Sequence, residues 1–148
     1  MKLILTLTFS LLSYIGYAQT ATPNIKDAFK ADDYEILAKE LKAEKLTVND
    51  CLDVEGSSYS FFALAIRMDK TKIFDSLIAN KADLEKTCAD KTPLMYASKY
   101  GKLEMAIALI KAGANLKATN KEGKTALDYA KRYKMSDLEA YLLTLSTK

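Results

Sequence analysis

Residues 91–110 and 124–143 carry one pattern twice. At an offset of 33 positions, seven of these twenty residues are identical: Lys91/Lys124, Thr92/Thr125, Leu94/Leu127, Tyr96/Tyr129, Ala97/Ala130, Tyr100/Tyr133 and Leu109/Leu142. Ordinary residue frequencies would give about one match by chance. Lys99/Arg132, Glu104/Asp137, Met105/Leu138 and Ile110/Leu143 add similar pairs. Upstream the pattern recurs with one residue deleted: Ser60–Ala65 stands where Thr92–Ala97 does, and Ala82-Asp83-Leu84 where Ala114-Asn115-Leu116 does. A fainter copy runs from about Ile25 to Ser58, so the units fall near 25–58, 59–90, 91–123 and 124–146. A period of this length predicts a row of small units, none able to bury its apolar face alone, with three or more needed for stability.

Each unit reads as two short helices and an extended tip. In the third, Thr92 is a good N-cap, and Pro93 suits the first helical position, where its missing N–H costs nothing. That helix is expected to stop at Tyr100-Gly101. A second runs from about Leu103 to Ala112, with Leu103, Ala106, Ile107 and Ile110 on one face and Gly113 ending it in a left-handed conformation. Asn120 and Gly123 mark a turn in the exposed tip that follows. In the fourth unit Thr125 caps the first helix, and Ser136-x-x-Glu139 reads as a capping box for the second. Lys134 replaces Gly101, which predicts a somewhat different turn there. Leu142, Leu143 and Leu145 are expected to pack inward, and Tyr96 and Tyr129 to pack between units. In the first unit Asp32 and Asp33 precede the amphipathic run Tyr34–Leu41 as caps.

These residues resemble the ankyrin repeat. Thr92-Pro93-Leu94-Met95-Tyr96-Ala97 is similar to its TPLHxA signature with Met95 in place of the histidine, and Gly113-Ala114-Asn115-Leu116 is similar to its G-A-D-V element. Thr125–Ala130 resembles a common last-repeat variant. The resemblance covers about residues 24–146 and implies an all-α solenoid of helix-turn-helix repeats with hairpin tips. The family's histidine helps bond neighbouring repeats together; this chain has no histidine, so its stack is expected to rely on apolar packing.

The first 18 residues are set apart. One basic residue, Lys2, precedes an apolar stretch from Leu3 to about Ile15, and Gly16-Tyr17-Ala18 places small residues at −3 and −1 of a cut after Ala18. That is the layout of a cleaved export signal, and the stretch falls short of the roughly 20 residues of a membrane span. Residues 19–23 read as a short polar linker to a repeat domain at 24–148. Export to a periplasm or the outside would permit a bond between Cys51 and Cys88, the two cysteines of the chain. Both lie in tip regions. Neighbouring tips in ankyrin-like stacks are roughly 10 Å apart, whereas a disulfide needs Cα atoms within about 7 Å. Two separate thiols are therefore expected, with a bond requiring a small shift of register.

With no histidine, neither Ser-His-Asp nor Cys-His catalysis nor a His-ligated metal site is available. There is no CxxC, no GxGxxG, no Walker loop and no EF-hand spacing, so no cofactor and no metal are expected. Binding remains. The resemblance implies partner contact through the tips and through the concave face lined by the first helices. The last exposed positions of those helices are Arg67 and Met68, Lys99 and Tyr100, Arg132 and Tyr133, and the last full tip offers Lys121, Glu122 and Lys124. Together they form a basic stripe interleaved with tyrosine, suited to an acidic protein surface. Charge follows the same gradient: residues 19–60 carry 5 Lys against 9 Asp/Glu, and residues 111–148 carry 8 basic against 4 acidic residues. The net charge is too low to favour nucleic acid, and no exposed apolar stripe beside the basic end favours a membrane surface. The expected function is an exported protein-binding module. For small exported proteins of this kind the family suggests a toxin to be neutralised or an enzyme to be protected. The rival readings are a small exported hydrolase using tip carboxylates, for which Glu122 on a tip and Asp128 on a helix are near in sequence, and a purely structural spacer.

Overall fold

An α-helix opens with four backbone N–H groups that lack an acceptor, and short polar side chains supply it. They do so repeatedly along the computed structural model, which describes residues 19–147. Thr22 caps α1 (Pro23–Ala31), Asp33 caps α2 (Tyr34–Ala43), and Ser60 caps α3 (Phe61–Arg67). Thr92 caps α5 (Pro93–Tyr100) and Thr125 caps α7 (Ala126–Arg132). The intervening second helices α4 (Thr71–Ala79), α6 (Leu103–Ala112) and α8 (Ser136–Ser146) start without a side-chain cap of their own. The proposed leader, residues 1–18, lies outside the described residues.

The helices fold into four hairpins, α1–α2, α3–α4, α5–α6 and α7–α8, and the hairpins form a row. First helices stack on first helices, α3 on α5 and α5 on α7, while α4 meets α6 and α6 meets α8. Where the two helices of a hairpin join, one residue takes a left-handed conformation: Asp32 (φ 52°), Asp69 (57°), Gly101 (64°) and Lys134 (57°). The turn at Lys134 thus keeps the conformation of its neighbours, contrary to expectation. Space explains the glycine better than φ does: a Cβ on Gly101 would sit 2.6 Å from Met135 Sδ.

A continuous apolar core runs through the row. Phe29 stacks on Phe61 at 6.3 Å across the first two units, and Phe62 meets Phe74 edge-on at 5.5 Å inside the second. Leu94, Met95, Leu109, Leu138 and Leu142 continue it. Leu143, expected inside, is 39% exposed. Leu138 and Leu142 share a stripe four residues apart, and Leu143 falls about 100° round the helix from it. The capping box expected at Ser136-x-x-Glu139 is also absent, since Ser136 is already inside α8 and Met135 is at its N-cap. The reciprocal box forms at the start of α7, where Thr125 N–H and Oγ1 both donate to Asp128 Oδ2 at 2.8 Å.

Polar links between units exist without histidine. The Asp32 carboxylate reaches the next unit and accepts from Lys72 N–H (3.1 Å) and Ile73 N–H (3.0 Å), capping α4 from outside. Lys102 Nζ pairs with Asp69 Oδ1 at 2.9 Å one unit further on. In the tips, Asp83 N–H donates to Asn49 Oδ1, Asn115 N–H to Glu85 Oε1, and Lys121 N–H to Asp90.

The first tip departs from a purely helical plan. β2 (Cys51–Val54) and β3 (Ser57–Ser60) form an antiparallel hairpin, and β1 (Gln19–Thr20) joins β2 in parallel. Residues 19–20, expected as linker, therefore belong to a three-stranded sheet, and the chain enters α1 directly at Pro23. Glu55 (φ 53°) and Gly56 (φ 75°) are both left-handed, which is what a two-residue turn of the I′ type needs to match strand twist. This sheet also overturns the expectation of separate thiols. Cys51 opens β2, where its Cα lies 5.7 Å from that of Cys88, and the two form a disulfide.

The bond closes a loop of 37 residues, for which chain-entropy reasoning gives about 4 kcal/mol of stabilisation. Replacing both cysteines by serine is expected to lower urea-unfolding stability by about 2–4 kcal/mol with the helical far-UV signal retained. Asp32→Ala is expected to cost about 1–2 kcal/mol, from the lost cap on α4 and the strain of alanine at positive φ. Asp32→Asn, which tolerates that conformation and keeps one acceptor, is expected to recover part of the loss.

Candidate functional site

The 33-residue period brings chemically matched residues into register along α3, α5 and α7. Four residues apart on one helix face, Tyr96 stacks on Tyr100 and Tyr129 on Tyr133, each pair at 6.3 Å. Tyr59, at the end of β3, extends the row to Tyr96 at 5.9 Å. Cations sit over these rings. The Arg67 guanidinium lies 5.0 Å from the Tyr59 centroid and donates to Tyr59 Oη at 3.0 Å. Lys99 Nζ is 5.2 Å from the ring of Tyr100 and 5.7 Å from that of Tyr133, so it bridges two units. Arg132 lies 5.9 Å from Tyr133, and Lys91 6.0 Å from Tyr129. Each such contact contributes about 0.5–1 kcal/mol at an exposed site and holds a long side chain in place.

Arg67, Lys99, Tyr100, Arg132 and Tyr133 are thus gathered in one row. Met68 is 40% exposed at the end of α3, outside the ring contacts. Lys124 joins through a recess of about 180 Å³ lined by Lys124, Asp128, Tyr129 and Arg132. Lys121 and Glu122 stay on the tip, where Lys121 N–H is held by Asp90 and Glu122 N–H by Asn120 Oδ1. Sequence reasoning missed Tyr59 and Lys91 as members of the row. Tyr59 occupies the repeat position of Lys91 and Lys124, so no identity across units pointed to it.

Tyr96 and Tyr129 are 5% and 6% exposed, in agreement with their expected packing between units. Burial, followed by the neighbouring phenols Tyr59, Tyr100 and Tyr129, pushes the Tyr96 hydroxyl up to about 12. Burial also raises Tyr129, against the lowering effect of its hydrogen bond from Asn120 Nδ2 at 3.0 Å. The bonds from Thr125 hold the Asp128 carboxyl below its usual range. Asp128 is therefore an ionised cap at neutral pH, the opposite of what a carboxylic acid donating a proton in hydrolysis requires.

The Tyr96 phenol should stay protonated while free tyrosines ionise. An unfolded chain would lose that proton near pH 10 and the folded one near 12, so stability from this group is full below pH 10 and falls between 10 and about 12. Absorbance at 295 nm is expected to show late-titrating tyrosines, with the latest component missing in Tyr96→Phe. That variant is expected to lose less stability between pH 9 and 11.5 than the parent.

Residues 77–130 match the family model described as ankyrin repeats (many copies). A 59-residue segment is 46% identical to the human (Homo sapiens) Ankyrin repeat and KH domain-containing protein 1. That alignment covers 40% of this chain and 2% of the relative's length. The matched segment spans α5, α6 and most of α7, and the same stacked hairpins continue on both sides of it. Residues 77–130 thus match ankyrin repeats, within a mostly helical solenoid of stacked hairpins, and such repeats generally mediate contacts between proteins.

Proposed function

We propose that this chain is an exported module that captures another protein through the face formed by α3, α5 and α7. The observation that carries the reading is a row in which buried Tyr96 and Tyr129 support Tyr59, Tyr100 and Tyr133 nearer the surface, set with Arg67, Lys99, Arg132 and Lys91. Tyrosine and arginine offer large contact area with several hydrogen-bonding groups, and here they are held in position by mutual contacts before any partner arrives. The cations favour an acidic partner surface. The function is capture without catalysis, on a partner such as a toxin or an enzyme that the bound module silences or shields. The Cys51–Cys88 bond suits an oxidising compartment and supports the leader-like reading of residues 1–18. No helix among the described residues is long and apolar enough to cross a membrane.

Affinity capture from the cell-envelope fraction, followed by mass spectrometry, tests the proposal. The parent is expected to retain a partner with an acidic surface, and binding should weaken steeply with salt. The variant with Arg67, Lys99, Tyr100, Arg132 and Tyr133 all replaced by alanine should lose that partner while keeping its helical spectrum. Recovery of the same partner at the same salt tolerance would show that this face is not the binding site.

A further inference from the structure

The recess at the far end of the row has a composition of its own. Lys124 and Arg132 are exposed cations on its rim, the buried Tyr129 ring walls it, and Asp128 completes the lining. Its 180 Å³ falls below the roughly 300–1,000 Å³ of pockets that hold whole small molecules, so it suits a single side chain. We propose that the recess receives one aspartate or glutamate side chain from an internal segment of the partner protein. The proposal rests on the protein-capture reading and assigns its anchor point.

Several features point to that occupant. Arg132 presents a planar fork of donors that matches a carboxylate, and Lys124 supplies a second positive charge. The ionised Asp128 offsets only part of this charge, two cations against one carboxylate: its Oδ2 is taken by Thr125 N–H and Oγ1, and Oδ1 is left to accept from the backbone N–H beside the incoming carboxylate. The rim is also built in advance. Asn120 Oδ1 accepts from Glu122 N–H (2.9 Å) and Lys124 N–H (2.8 Å), and Asn120 Nδ2 donates to Tyr129 Oη (3.0 Å). One side chain thereby ties the tip carrying Lys124 to the wall of the recess, which lowers the ordering cost of binding. Asp90 and Glu122 lie close enough to act on the Tyr129 phenol. They bound the positive region, so one carboxylate of an acidic segment is seated in the recess while the others stay outside it.

The test is an NMR titration of the oxidised chain with hexaglutamate blocked at both ends by acetyl and amide groups. Shifts are expected to centre on Lys124, Tyr129 and the Arg132 side chain. Arg132→Gln and Lys124→Gln, both at exposed positions, should each weaken binding about tenfold with the rest of the spectrum unmoved. Lys111→Gln on α6 should leave it unchanged. Equal weakening by all three substitutions, or shifts centred elsewhere, would overturn the site in favour of diffuse charge attraction. Tighter binding of acetyl-hexaglutamine with a free terminal carboxylate would overturn the internal side chain as occupant. Envelope capture that survives both Gln substitutions would remove the recess and leave the tyrosine row standing. A seated hexaglutamate with no protein captured would do the reverse.

Discussion

The inward faces of α3, α5 and α7 have no sufficient cover within their own hairpins. Each is covered by the next helix in the row, and almost everything else in the molecule follows from that requirement. Leu94, Met95 and Ala97 on α5 are buried because α3 lies on one side and α7 on the other. At about 25 cal/mol per Å² of apolar surface, a single hidden leucine is worth about 2 kcal/mol, comparable to one cross-unit hydrogen bond, and the buried apolar residues far outnumber those bonds. The polar links at Asp32 and Asp69 therefore set how the units sit relative to one another, while burial holds them together.

This division of labour explains how the family's histidine is dispensed with. Met95 stands at its position and is 1% exposed, adding to the core instead of bonding the loops. Its polar role is distributed among Asn49, Glu85 and Asp90, each of which accepts a backbone N–H from the following tip. The acceptors fall at different points in their own units, because each tip has its own length and sequence.

Much of the architecture was legible from residue identities alone. Thr92, Pro93, Gly101 and Gly113 bracket α5 and α6, and the 33-residue offset carries the same limits to α7. What escaped was what depends on contacts across units. Ser136 followed by Glu139 has the letters of a capping box, yet the register of α8 puts Ser136 one position too far in. Lys134 looks unsuited to a glycine position, yet the left-handed turn costs a lysine only about 1–2 kcal/mol, which the packed row covers. The β2–β3 hairpin lies in the unit with the faintest repeat signal, and the Cys51–Cys88 pairing was hidden with it. At the candidate site, most positions recurring at the repeat interval were readable; Lys91 recurs as Lys124, yet its place over the Tyr129 ring was not, and Tyr59 enters the row only through three-dimensional proximity.

A one-dimensional array comes apart from its ends, and the two ends here are unequal. Between the first two hairpins, a covalent crosslink through Cys51 and Cys88 staples one to the other, beside a small sheet. Among the described residues, α7 and α8 are joined to α5 and α6 by packing alone, with no such staple. That joint is therefore the less firmly tied of the two, and it lies beside Lys124 and Arg132. A ligand lodged there would act as a clasp on the weakest joint, so occupancy would be felt as resistance to unzipping along the whole array.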